Sequence, residues 1–303
     1  MIDLHMHTTY SDGQKTVKEL LLEAEQKGLK TISITDHDTC KAYDELKKEE
    51  IRSLFSGNII QGIEINTGFK GYKIELLGYN FDNYEYVQEY IEKANSKTDE
   101  EWNQIMIKER KELIDKFKKL DLKFDIFFEE NLLYKNYESN IYNSVLEKND
   151  INYIKEKMGS YFFESGYEFY RKCVTSPESP FFINYSKYRP TIEEITKLIH
   201  DNGGIVFLAH PLLYGMKNPE EKLNELYLQH PEIDGIECYY NGFDEEQINF
   251  INNFAKERNL LISGGSDYHA IEGFKNQLGC CMHGNSYIDD SIIENWNIKS
   301  KNI

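Results

Sequence analysis

Ile2-Asp3-Leu4-His5-Met6-His7-Thr8-Thr9-Tyr10-Ser11-Asp12 is the stretch from which the rest of the chain is read. A short apolar strand runs straight into a His-x-His pair. Side chains alternate along a strand, so His5 and His7 point to the same face. Later apolar runs end the same way. Thr31-Ile32-Ser33-Ile34 leads into Thr35-Asp36-His37-Asp38-Thr39, and Gly62-Ile63 into Glu64. Ile205-Val206-Phe207-Leu208-Ala209 delivers His210-Pro211, and Leu260-Leu261-Ile262-Ser263 leads to Gly264-Gly265-Ser266-Asp267-Tyr268-His269. Groups gathered at strand ends are the habit of parallel α/β sheets. Imidazole mixed with carboxylate is ligand chemistry for zinc, manganese or iron. Eight such groups (His5, His7, Asp12, His37, Glu64, His210, Asp267 and His269) exceed the needs of one ion.

Between these strand ends, apolar residues recur at helical spacing. Val17, Leu20, Leu21 and Ala24 predict a helix stopped by Gly28, and residues 192–202 another stopped by Gly203-Gly204. The strand–helix alternation fails over residues 84–186. That segment reads as helical, with Trp102, Ile105, Ile107, Leu113, Ile114, Phe117 and Leu120 as a buried stripe. The expected organisation is a metal-binding core of residues 1–83 and 187–303 around a mostly helical insertion of residues 84–186, a lid or substrate subdomain. Strand–helix units on both sides of the insertion imply a parallel sheet closed, or nearly closed, into a barrel.

His5-Met6-His7 with Ser11-Asp12-Gly13, the 35–39 motif, Gly62-Ile63-Glu64, Leu208-Ala209-His210-Pro211 and the 264–269 motif together resemble the PHP (polymerase and histidinol phosphatase) superfamily of metal-dependent phosphoesterases. The 264–269 ending and the insertion look most like the stand-alone branch acting on nucleoside monophosphates, nucleoside 3',5'-bisphosphates and RNA 5' ends. The resemblance implies a distorted seven-stranded (β/α) barrel with two or three divalent ions (manganese, zinc or iron). It further implies hydrolysis of a small phosphate ester by a metal-bridging hydroxide, with Asp267 as a catalytic ligand. The chain departs from the pattern in two places. Glu75 stands where such enzymes carry a metal-binding His, and is a candidate ninth ligand because carboxylate also suits hard ions. The insertion also lacks the Arg-Pro-His-like segment expected of the nucleotide branch. Arg171 and Arg189, near the insertion's return, are the candidate phosphate-binding forks.

Composition narrows the partners. A formal charge of −17 disfavours a long nucleic-acid groove, although bound cations can reverse the field locally. No apolar run approaches a membrane span, and the N-terminal residues do not read as a signal peptide, so a cytoplasmic location is expected. Five cysteines without CxxC spacing predict reduced, buried thiols. Two other readings share these residues: a histidinol-phosphate-type phosphatase, and a non-catalytic metal-binding regulatory module.

Overall fold

The computed structural model describes residues 1–184, 186–271 and 276–296. Eight strands carry the site: β1 (Ile2–Asp3), β2 (Thr31–Ile32), β3 (Asn58–Ile59), β4 (Gly62–Phe69), β5 (Tyr72–Tyr79), β6 (Ile205–Leu208), β7 (Gly235–Tyr240) and β8 (Leu261–Gly265). They form two sheets rather than one ladder: parallel β1-β2-β3, and mixed β4-β5-β6-β7-β8. Backbone hydrogen bonds join the sheets on both sides. Leu4 and His7 donate to the carbonyls of Gly264 and Tyr268, while Asp38 N–H donates to the Glu64 carbonyl at 2.8 Å.

The expectation of a uniformly parallel sheet needs correction, because β5 runs antiparallel to both β4 and β6. The cause is local. Lys70 and Gly71 both take positive φ, 49° and 91°, and close a two-residue hairpin that no crossover helix could replace. The β6-β7-β8 ladder is parallel, as expected.

The Val17–Gln26 helix forms where its apolar spacing predicts. A Thr16/Glu19 capping box satisfies its first turn, and Val17, Leu20, Leu21 and Ala24 are buried. Residues 84–120 are helical, in two pieces: Tyr84–Ala94, and Asp99–Lys119 restarted by a Thr98/Glu101 capping box. Tyr84, Val87 and Ile91 pack into the apolar cluster around the strands. A second cluster begins at Leu113 and gathers Phe117, Tyr142, Phe169 and Phe181 from the later helical segment. The insertion's aromatics thus largely pack on one another; Tyr142 and Phe169 stack with centroids 4.1 Å apart. All five cysteines are free and buried. Among the described residues, no helix is long and apolar enough to cross a membrane.

Candidate metal centre

The hairpin register settles the side on which Glu75 lies. Asn66 pairs with Glu75, and Glu64 with Leu77. Glu64 and Asn66 are two apart and share a face, so Glu75 faces the same interior as Glu64. From the other flank, β8 lies close enough to β1 that a Cβ on Gly265 would fall 2.2 Å from the His5 Cβ. Only glycine allows this approach. Asp267, two residues on, adopts φ 52° and donates its N–H to the His5 carbonyl at 2.8 Å. The turn therefore aims its carboxylate back at the His-x-His pair.

All nine candidate ligands converge. Glu64 Oε2 lies 3.3 Å from His5 Nε2, 3.4 Å from His7 Nε2 and 3.0 Å from His37 Nδ1. Its other oxygen is 3.1 Å from His210 Nε2, which sits 3.5 Å from Glu75 Oε2. Asp267 Oδ1 is 3.1 Å from His7 Nε2 and 3.5 Å from His5 Nε2. On the outer side Asp12 lies 3.1 Å from His269 Nε2 and 3.7 Å from His37 Nε2. The donor atoms fall into overlapping groups: His7, Asp12, His37 and His269; His5, His7 and Asp267; His5, Glu64 and His210; His37, Glu64 and Glu75.

Electrostatics argue that this cluster is built for cations. Burial opposes ionisation of Glu64, yet His37, His5 and His210 hold its pKa well below the carboxylate range. Burial likewise works against charge on His37, but Glu64 pushes it up to about 10. His5 is raised well above its ordinary value by Glu237, Glu64 and Asp267 against the same penalty. Asp12 is drawn down to about 2, against partial burial, by His269, His37 and His7. His7 goes the other way, because burial dominates.

Hydrogen bonding decides whether protons alone suffice. His5 Nε2, His7 Nε2, His37 Nδ1, Glu64 Oε2 and His210 Nδ1 are buried without a hydrogen-bond partner. Buried polar atoms are rarely left so, and an ion between these imidazoles and carboxylates would satisfy them. A mixed imidazole–carboxylate set fits zinc, manganese or iron.

The profile of the PHP domain matches residues 3–208. The chain belongs to the PHP domain family. It is therefore a metal-dependent phosphoesterase, a hydrolase of phosphoester bonds. A 5'-3' exoribonuclease of Haemophilus influenzae is 28% identical over 303 residues, covering 97% of both chains. The 5'-3' exoribonuclease Rnm of Salmonella typhimurium is 41% identical over 80 residues, 26% of this chain and 27% of that protein. Among solved structures, a Bifidobacterium adolescentis protein named for an inferred metal-dependent phosphoesterase activity aligns with TM-score 0.58 at 22% identity, covering 96% of this chain and 93% of that one. At that identity the likeness speaks for the fold alone.

The two predicted arginines sit on this PHP scaffold in different places. Arg171 lines a cavity of about 240 Å³ together with His37, Glu75, His210, Asp267 and His269. Arg189 does not reach that cavity. It pairs with Asp38 at 3.1 Å, with its guanidinium 5.9 Å from the Trp102 ring, and lines a second cavity of about 860 Å³. Lys73, which the sequence reading missed, lines both cavities and pairs with Glu75 at 2.9 Å. Glu237 was missed as well. It is fully buried and accepts from His5 Nδ1 at 2.9 Å and from the His210 backbone N–H at 2.7 Å. The available signal was repetition: Gly235-Ile236-Glu237 copies Gly62-Ile63-Glu64.

Proposed function

We propose that this PHP enzyme hydrolyses a phosphoester at the 5' end of a short oligoribonucleotide or nucleotide. Two or three divalent ions would be held by His5, His7, Asp12, His37, Glu64, Glu75, His210, Asp267 and His269. The observation that carries the metal centre is the set of five orphaned buried atoms around Glu64 and Asp267. Divalent ions at such a site lower the pKa of water and neutralise phosphoryl oxygens. In this reading the two sheets are staves of a distorted seven-strand barrel, with residues 58–69 counted as one stave. Residues 84–186 form the insertion that roofs its open end.

The preference for more than a lone phosphate comes from the cavities. The smaller one is lined by the candidate ligands His37, Glu75, His210, Asp267 and His269, and Lys73, Tyr170 and Thr175 line it and the larger one alike. The larger adds Arg189, Trp102 and several asparagines, room and chemistry for a base, a ribose and a phosphate. Lys73 and Arg171 are the cations placed to take phosphate oxygens nearest the ligands, with Arg189 further out. The exoribonuclease names of the relatives agree with an RNA end, and the net charge of −17 favours a short one over a long polyanion.

Activity should be measured with added manganese on 5'-phosphorylated di- to pentaribonucleotides, mononucleotides, 3',5'-bisphosphates and histidinol phosphate. Asp267→Asn removes a charge but little volume, and should lower turnover on the best of these about 100-fold or more. Equal turnover by the variant would remove Asp267 from the site. Histidinol phosphate as the best substrate would replace the RNA reading with the histidinol phosphatase one.

A further inference from the structure

Strand β7 carries two inward side chains at a spacing that a regular strand forbids. Glu237 reaches His5 and the His210 backbone, while the Tyr240 hydroxyl donates to Asp267 Oδ2 at 3.0 Å. Residues three apart on a strand face opposite sides. The register against β8 explains the exception: Glu237 pairs with Ser263 and Tyr239 with Gly264, so Cys238 is an extra residue, a β-bulge. Beyond it Tyr240 pairs with Gly265. Ser263 and Gly265 lie two apart on β8 and share a face, and their partners Glu237 and Tyr240 therefore do too.

We infer that Glu237 and Tyr240 are positioning residues for the metal ligands, and that the bulge at Cys238 exists to let one strand supply both. This rests on the metal centre proposed above. Glu237 touches two candidate ligands that follow different strands, His5 after β1 through its ring and His210 after β6 through its backbone. By accepting at His5 Nδ1 it fixes the proton there and leaves Nε2, the atom facing Glu64 and Asp267, free to bind an ion. Tyr240 holds one oxygen of Asp267 and leaves the other facing His5 and His7. The Tyr240 ring also packs edge-on to His210 with centroids 5.5 Å apart. A ligand set drawn from several strands is thus tied together by a single neighbouring strand.

The test is metal binding by the ion-free protein, with no substrate present. Wild type, Glu237→Gln and Tyr240→Phe are stripped with chelator, and their dissociation constants for manganese and zinc are measured by competition with an indicator. Both variants should bind about 10- to 100-fold more weakly, Tyr240→Phe at the lower end, with circular dichroism and ion-free unfolding midpoint close to wild type. A merely structural role would lower the midpoint and leave the dissociation constant of the folded protein alone. Wild-type constants in both variants overturn the inference. Should Glu237→Gln fail to fold, Tyr240→Phe decides by itself. If wild type binds no metal, the failure belongs to the metal centre and not to this strand.

Discussion

Two buried clusters of charge in this molecule are solved in opposite ways. In the insertion, Arg110 donates through Nε to Glu138 at 2.8 Å and through Nη1 to the Leu132 carbonyl at 2.6 Å, and lies over the Tyr137 ring. Around Glu64, by contrast, five buried nitrogen and oxygen atoms have no hydrogen-bond partner. The first cluster is complete within the chain and the second is not. Completion marks structure, and a concentration of unpartnered imidazole and carboxylate atoms in one place marks where an ion fits.

Arg110→Met offers the hardest test of that contrast. Removing one member of a buried pair costs about 3–5 kcal/mol, so urea denaturation should show a loss of that order, while bound metal per folded chain stays at the wild-type value. Unchanged stability would mean that Arg110 is held for the cavity it lines and not for the fold. The contrast would then collapse, since both clusters would be sites.

The sequence made one side of this contrast far easier to read than the other. Histidines at strand ends are chemically distinctive, and His5, His7, His37, His210 and His269 all arrive where their motifs place them. Asp and Glu are harder to read: Glu64 and Glu237 carry the same Gly-Ile-Glu tripeptide, and neither has a histidine beside it in the chain. The inward aim of Tyr240 on the same strand depends on a one-residue bulge at Cys238, and no local preference in Glu-Cys-Tyr-Tyr announces a bulge. The antiparallel direction of β5 was hidden for a related reason. Gly68 and Gly71 signal a turn, but an apolar run does not say which way it pairs. The Arg110–Glu138 pair was illegible because both residues sit in helices whose charge pattern looks solvent-facing.

Glu75 lies on the border between the two kinds of cluster. One oxygen is satisfied by Lys73 at 2.9 Å, and the other faces His210 at 3.5 Å, in a group with His37 and Glu64. A ligand with one oxygen tied by a lysine and one free for an ion is the arrangement expected at an incomplete site. Glu75→Ala should therefore reduce bound metal by about one ion per chain, read by elemental analysis after dialysis against trace manganese. Glu75→His should restore it and shift preference towards zinc. Full metal content in the Ala variant would move Glu75 to the completed side, as the partner that holds Lys73 for substrate.

The smallest effect comes from a histidine–carboxylate contact that is complete. His200, at the end of the Ile192–Asp201 helix, has Nε2 2.7 Å from Asp234 Oδ2, which also accepts the Val206 N–H at 2.7 Å. The bond to Asp234 raises the His200 pKa, burial opposing it and Glu232 and Asp201 adding to it. A histidine raised on folding contributes stability in full below its unfolded pKa of about 6.5, and loses it as pH climbs through the folded value. His200→Gln should therefore cost more at pH 6 than at pH 9. Partial exposure limits the difference to about 0.5 kcal/mol. Urea titrations of wild type and variant in chelator isolate it, because the titrating groups around Glu64 are common to both proteins and cancel. A difference of several kcal/mol, or one of opposite sign, would show that proximity of imidazole to carboxylate does not separate a surface pair from a metal site. A small difference of the stated sign leaves the orphaned atoms around Glu64, rather than the histidine–carboxylate contact itself, as the mark of the centre.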